Sequence, residues 1–283
     1  MMRIAVIVTT YNRPDALSAV LEGYLAQSDR NFELIVADDG STEDTARVIR
    51  AYQERSPFAI VHVWQEDKGF RAAAARNLAL SRTRADYVIF TDGDCIPLPD
   101  FVAAHRRLAE TGWFLSGNRV LLSEAFTRRV LHEHLPVQSW TSGRWLRARV
   151  HHDINRLLPL LRLPAWHWLR RLRPRAWRGT RTCNLAVWRT DLVRVNGFDE
   201  AYAGWGMEDS DLAVRLLRCG VRHKSARCAA PLLHLWHHES DRGALSGNRQ
   251  RLDAVLSTDS VRALHGLDQY AEDAAEQHYR SDA

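Results

Sequence analysis

Asp92-Gly93-Asp94 sets two carboxylates one residue apart at the end of Tyr87-Val88-Ile89-Phe90, a run of β-branched and aromatic residues that reads as a buried strand. Two carboxylates so close are not stably ionised without a counter-charge. A hard divalent cation with oxygen ligands supplies one, and its remaining positions can take a diphosphate. A solvated turn is the rival account, because Asp and Gly dominate turns for backbone reasons alone. Further on, Glu208, Asp209 and Asp211 crowd the start of a segment in which Leu212, Ala213, Leu216 and Leu217 recur at helical spacing before Gly220. Capping and dipole compensation explain acids there, at about 0.3–1 kcal/mol each. Three of them beside Trp205, itself between Gly204 and Gly206, exceed what one cap needs. The glycines let a ligand approach closely, the tryptophan offers a flat face to a sugar ring, and a carboxylate kept ionised by a helix start suits a general base. Last come His234, His237 and His238, within five residues of one another, which point to at least one metal or phosphate contact. In extended chain His234 shares a face with Trp236, and His237 takes the other unless the chain turns.

The elements that must position these groups are legible. Ile4-Ala5-Val6-Ile7-Val8-Thr9-Thr10 is a continuous apolar strand of the kind buried on both faces of a parallel sheet. Pro14 then opens a helix to about Gln27. Phe32 to Ala37 forms a second strand, ending in Asp38-Asp39-Gly40-Ser41, and Ser41 or Thr42 caps a helix to about Glu54. Ile60 to Trp64 is a third strand, followed by Asp67-Lys68-Gly69-Phe70 and an alanine-rich helix through Arg76 and Asn77. The Asp92-Gly93-Asp94 strand follows. This alternation predicts an α/β fold with a Rossmann-like, mostly parallel central sheet flanked by helices. No GxGxxG follows the first strand, so a nicotinamide or flavin dinucleotide is not expected. Thr9, Tyr11, Asp38, Asp39, Arg71, Asp92 and Asp94 all fall at strand ends, on one edge of one sheet. There an Asp can accept the imide N–H of a uracil, an aromatic ring can stack on the base, and Arg can balance phosphate charge.

At 283 residues the chain can bury one large core or one core with an insertion, and its 46% hydrophobic and 26% charged residues are ordinary for a folded protein. The net charge of +5 is unevenly spread: fourteen arginines lie between Arg119 and Arg181 against Glu124, Glu133 and Asp153, so the rest of the chain is net acidic. Within that stretch Leu157 to Trp177 mixes leucine, Trp166, Trp168 and Trp177 with Arg170, Arg171 and Arg173, as in basic amphipathic helices that lie on anionic membranes. A helical hairpin docked on the domain with its arginines solvated is the alternative. Nucleic acid is not expected, since no recognisable binding motif accompanies these residues. Cys95, Cys183, Cys219 and Cys228 show no CxxC pairing, which predicts reduced thiols and a cytoplasmic protein. The first residues run straight into a strand without a signal-peptide pattern, and no stretch approaches the ~20 apolar residues of a membrane span.

The ordered motifs VTTYNRP, VADDGS, EDKGFRAAAARN, FTDGDCIP, GWGMED and HLWHHE resemble glycosyltransferase family 2 enzymes of the GT-A fold. GWGMEDSDL is similar to the carboxyl-terminal segment of galactosyltransferases and the bacterial chondroitin polymerase. The match covers roughly residues 3–120 and 180–243; the arginine-rich stretch lies outside it. The resemblance implies that Thr9, Tyr11, Arg13, Asp39 and Arg71 hold the nucleotide, with Asp39 at the uracil. It implies that Asp92 and Asp94 contact ribose and metal, Asp94 as the direct ligand, and that a histidine, His237 or His234, completes the shell around Mn²⁺ or Mg²⁺. Asp209 matches the catalytic base, Glu208 its neighbour facing acceptor or donor sugar, and Trp205 with Gly206 the acceptor wall.

The expectation is a metal-dependent, inverting enzyme moving a hexose or N-acetylhexosamine from a UDP-sugar to a glycan or lipid-linked glycan, in cell-surface polysaccharide or lipopolysaccharide synthesis. The expected organisation is one domain over 1–243, with a nucleotide-binding half (1–117), a basic helical insertion (118–181), and an acceptor half (182–243); a helix and tail follow (244–283). The insertion is expected to rest on the inner face of the cytoplasmic membrane. Retaining chemistry on the same fold, a sugar nucleotidyltransferase and a binding module without turnover stay open.

Overall fold

The structure, a computed structural model, describes residues 2–161, 167–239 and 241–270. The expected alternation is present: β1 (Ile4–Thr10), α1 (Pro14–Leu25), β2 (Phe32–Asp38), α2 (Glu43–Arg55), β3 (Ile60–Trp64), α3 (Ala72–Ser81) and β4 (Tyr87–Asp92). In β1 the side chains of Ile4, Val6 and Val8 enter one core and those of Ala5 and Ile7 another. That period of two on a strand with no polar face is what burial between two helical layers requires.

After β4 come β5 (Cys95–Pro97), α4 (Phe101–Leu108), β6 (Trp113–Ser116) and β7 (Arg119–Leu121). Then follow α5 (Glu124–His132), α6 (Ser142–Val150) and α7 (His167–Arg170). β8 (Leu185–Trp188), α8 (Arg189–Arg194), α9 (Glu208–Arg218), β9 (Arg222–Ser225), β10 (Leu232–His234) and α10 (Leu245–Leu256) complete the described chain. Among the described residues the strands form a seven-stranded sheet, ordered β3-β2-β1-β4-β8-β6-β9, and a three-stranded one, β5-β10-β7. In the large sheet β8 alone runs against its neighbours, so the sheet is mostly parallel. The order reverses at β1 and β4, where Thr9 pairs with Asp92. A crevice at such a reversal, outside the carboxyl ends of the strands, is where open α/β sheets bind ligands.

The arginine-rich stretch differs from its expectation. Leu157 to Trp177 is not an amphipathic helix: a 3₁₀ turn spans Leu158–Leu161 and α7 is one turn long. Pro159 and Pro174 offer no backbone N–H to extend either. Trp166 lies outside the described residues. Nor does the stretch stand apart from the core, since β7 pairs with β10 and Phe126, Val130, Trp145, Ile154 and Leu160 are buried in one of the two main clusters.

Asp211 also departs from its sequence reading. Its carboxylate turns inward from α9 to pair with Arg215 at 2.6 Å, both side chains being 1% exposed. Arg215 donates further to the carbonyls of Val195 (2.6 Å) and Gly197 (2.9 Å). Arg215→Met is expected to cost ~3–5 kcal/mol, because it leaves a carboxylate buried and unpaired; a urea denaturation midpoint unchanged from wild type would refute this.

Candidate active site

β4 ends at Asp92, and Gly93 turns the chain by donating its N–H to the Thr9 carbonyl at 2.7 Å. A Cβ at Gly93 would sit 2.9 Å from the Thr10 hydroxyl oxygen, so a side chain there would displace β1. Asp94 follows, then β5, which pairs with β10 so that Cys95 faces His234. The Leu235 N–H closes the ladder on the Asp94 carbonyl at 2.9 Å. This register sets His234 Nε2 3.5 Å from Asp94 Oδ2. The strand ends at His234 and the chain turns, so His237 returns to the same side and brings its Nε2 to 3.2 Å from that oxygen. Ligand atoms of Asp94, His234 and His237 lie within 4.8 Å of one another, as do those of Asp92, Asp94 and Cys95.

The electrostatics of this cluster favour a cation. Burial alone would push the Asp94 carboxyl up, but the hydrogen bond from His237 and the two neighbouring imidazoles hold it down at about 2. Burial pushes Asp92 up to about 6, with Asp94 adding repulsion and Arg76 opposing it. Burial likewise pushes His234 down to about 4, which keeps that ring neutral and able to donate a lone pair. His237 is raised by its hydrogen bond to Asp94, and its Nδ1 lies 2.6 Å from the His238 carbonyl. A carboxylate with two imidazoles is a donor set that fits a divalent cation.

The second acid group stands at the start of α9. Gly204, Gly206 and Met207 all adopt left-handed backbone conformations, with φ of +73°, +102° and +80°. For methionine that geometry is strained and persists only where surroundings enforce it. The surroundings are α10 and the residue before it. Asn248 donates to the Ala203 carbonyl at 3.1 Å, and a Cβ at Gly204 would fall 2.5 Å from that of Ala244. The loop delivers Glu208 into the interior and leaves Asp209 partly exposed. Burial and then the Glu208 charge push the Asp209 carboxyl up to about 7, against Arg76. The helix dipole therefore does not keep Asp209 firmly ionised, contrary to the sequence expectation.

Arg76 joins the two acid groups, and sequence reasoning passed over it. Its guanidinium, on α3 and 4% exposed, donates to Thr9 Oγ1 (3.1 Å) and Glu208 Oε1 (3.1 Å) and lies 3.4 Å from Asp92 Oδ1. It also lies over the Phe198 ring, 5.5 Å from the centroid. Asp92 and Glu208, more than a hundred positions apart, thus share one buried cation. An arginine inside an alanine-rich helix carries no sequence signal of that role.

The remaining candidates gather at the ends of β1 to β3. Asp39 is buried, accepts from the Arg71 backbone N–H at 2.7 Å and from the Gln65 amide, and is raised chiefly by burial. The Tyr11 ring is 47% exposed and its hydroxyl donates to Asp67 at 2.9 Å. The Arg71 guanidinium donates to the Glu66 carbonyl. Arg13 pairs with Asp15 at 2.9 Å, and its charge bears on His237. The Trp205 ring is exposed, with the Arg242 guanidinium 5.1 Å from its centroid.

A model of glycosyl transferase family 2 matches residues 5–166, and one described as the N-terminal domain of galactosyltransferase matches residues 170–239. Among curated relatives, validoxylamine A glucosyltransferase of Streptomyces hygroscopicus subsp. limoneus is 31% identical over 239 residues, covering 77% of this chain and 48% of its own. Hyaluronan synthase of Pasteurella multocida is 30% identical over 232 residues, covering 78% of this chain and 23% of its own. The chain therefore spans about half the length of the first relative and less of the second. Among solved structures, a mannosyltransferase from Pyrobaculum calidifontis in complex with GDP-Man and Mn²⁺ superposes with a TM-score of 0.58 at 22% identity, over 91% of this chain and 65% of its own. S. aureus TarS 1-349 in complex with UDP-GlcNAc gives 0.57 at 15% identity, over 84% and 60%.

Proposed function

The chain belongs to glycosyltransferase family 2, and from that premise we propose that it is a metal-dependent, inverting glycosyltransferase using a UDP-sugar. The observation that carries the reading is the single buried guanidinium of Arg76 between Asp92 and Glu208, with the Asp94–His234–His237 group beside one acid and Asp209 beside the other. In the proposed complex Asp39 accepts the uracil imide N–H, Tyr11 stacks on the base, and Arg13 and Arg71 face phosphate charge. Thr9 orients Arg76 through its hydroxyl. Asp94, with His234 and His237 and with Asp92 alongside, would hold Mn²⁺ or Mg²⁺, which when bound supplies Lewis-acid neutralisation of the diphosphate leaving group.

Asp209 takes the proton of the acceptor hydroxyl as that oxygen attacks the anomeric carbon from the face opposite the diphosphate. The bond to the diphosphate breaks with inversion, and the proton stays on the Asp209 carboxyl. A base with a pKa near working pH is matched to this task. Glu208 Oε2, buried and without a hydrogen-bond partner among the described residues, is free to accept from a sugar hydroxyl. Trp205 and Gly206 line the acceptor side.

A hexose or N-acetylhexosamine donor and a glycan or glycolipid acceptor, in cell-surface polysaccharide or lipopolysaccharide synthesis, are in keeping with relatives named hyaluronan synthase and chondroitin synthase. The base is the point where neighbours differ, one binding GDP-Man and another UDP-GlcNAc. Donor hydrolysis across UDP- and GDP-sugars with manganese tests it. UDP-sugars are expected to be cleaved at least about tenfold faster, since a buried hydrogen-bonding site rejects the wrong partner strongly; equal rates would remove the uracil assignment.

No described helix is long and apolar enough to cross a membrane. Leu146, Val150, Trp168 and Leu172 are each more than half exposed within the arginine-rich stretch, which supports peripheral docking on an anionic membrane surface, on its cytoplasmic face. Flotation with anionic vesicles is expected to recover more protein than with neutral ones; equal recovery would remove the membrane claim.

A further inference from the structure

A hollow of about 340 Å³ opens between the start of α9 and the side of α10, lined by Trp177, Arg178, Met207, Ser210, Arg249 and Leu252. Its position is set by the strained loop already described, because Met207 and Ser210 bracket Glu208 and Asp209. The Ser210 hydroxyl lies 3.4 Å from Asp209 Oδ1, so the hollow adjoins the group that would activate an acceptor. Its floor is apolar: Leu252 is buried, and Trp177 packs partly against the core. Its rim is charged. The Arg178 guanidinium lies over the Trp177 ring, 4.5 Å from the centroid. Arg249 rises one turn before Asp253, which lines the same hollow. Neither Arg178 nor Arg249 forms an ion pair among the described residues, although both are exposed and share the hollow with Asp253.

An aromatic ring, an apolar floor, one carboxylate and two guanidiniums without an ion pair match one ligand class. A pyranose presents a C–H face to an indole, its hydroxyls donate to a carboxylate, and an anion on the ring takes charge-assisted hydrogen bonds from arginine. The geometry points to an acceptor subsite for a saccharide that carries an anionic group, a carboxylate or a phosphate, with Arg178 and Arg249 as its specificity determinants. This rests on the transferase reading and names the acceptor class within it. Arg178 comes from the end of the arginine-rich stretch and Arg249 from the last described long helix, so segments flanking the acid loop on both sides select the acceptor.

The test is ligand-observed NMR titration of the full chain, saturated with UDP and Mg²⁺, by three probes: methyl β-D-glucoside, methyl β-D-glucuronide and glucose 6-phosphate. Saturating UDP keeps the phosphate probe out of the donor side. At least one anionic probe is expected to bind about tenfold more tightly than the neutral glucoside. The stronger of the two identifies carboxylate or phosphate as the partner. In the Arg178→Gln/Arg249→Gln double variant the preference is expected to vanish while UDP affinity is unchanged, which also shows that the variant is folded. Equal binding of all three probes, binding of none, or a preference that survives in the double variant would overturn the proposal. Failure of UDP to bind, with the anionic preference intact, would instead sink the donor reading and leave this one standing.

Discussion

Asp209→Asn is expected to lower kcat by about 10²–10⁴-fold, the contribution of a positioned general base, while UDP-sugar affinity stays within about twofold. The amide keeps the shape of the carboxylate and cannot take a proton. Donor affinity is expected to be spared because the proposed nucleotide contacts fall on Asp39, Tyr11 and the Asp94 group. The wild-type pH profile gives a second reading of the same residue. The Asp209 carboxyl is pushed up to about 7 by burial and by Glu208; as a base it must be deprotonated. The rate should therefore climb as pH rises through about 7 and fall away below it, well above the range of an ordinary carboxylate. Whatever residual rate Asp209→Asn retains should lack that acid limb. An unimpaired rate in the variant, or a product whose anomeric proton coupling shows retained configuration, would dismiss Asp209 as base.

Asp94→Ala is expected to remove the metal-dependent part of nucleotide binding. Both imidazoles converge on Asp94 Oδ2, so deleting that carboxylate leaves two ring nitrogens without the negative charge that would draw a cation to them. Loss of an outer-shell partner costs metal sites ~10–100-fold in affinity, and loss of a direct ligand should cost at least that. Calorimetric titration of UDP with and without Mn²⁺ separates the effects: the gain from manganese should vanish, while a weaker metal-independent association through Asp39 and Tyr11 persists. A variant that keeps the full manganese-dependent gain would show that the ion is held elsewhere.

Much of this was legible in the chain because the physics was local. β1 and β4 declare themselves as continuous apolar runs and β2 as one broken only by Glu33, and acids at a strand end or helix start are visible as such. What escaped were properties that depend on which side a residue faces after folding. Asp211 looks like a third member of the acid group, but it sits on the inward side of α9 and neutralises Arg215. Arg76 looks like a helix-surface arginine, but α3 packs against β1 and turns it into the crevice. The antiparallel insertion of β8 between β4 and β6 pairs Phe90 with Leu185 on one side and Ser116 with Leu185 on the other, long-range contacts that no local period reports. Leu157 to Trp177 misled because its composition is that of an amphipathic helix while its prolines forbid one. The stretch after Gly243 reads as a helix and tail, and the helix, Leu245–Leu256, forms where α10 packs against α9.

The pairing of Cys95 with His234 has a further consequence. Asp94 and His234 are aligned by main-chain hydrogen bonds made when the chain folds, so the proposed metal site would meet its ion as a cradle already assembled. Little ordering entropy is then spent on capture, unlike domains that stay unfolded until they are loaded. An ion held there would be an exchangeable guest, so the proposed metal dependence predicts that activity lost on chelation returns on adding divalent cation to the same folded molecules.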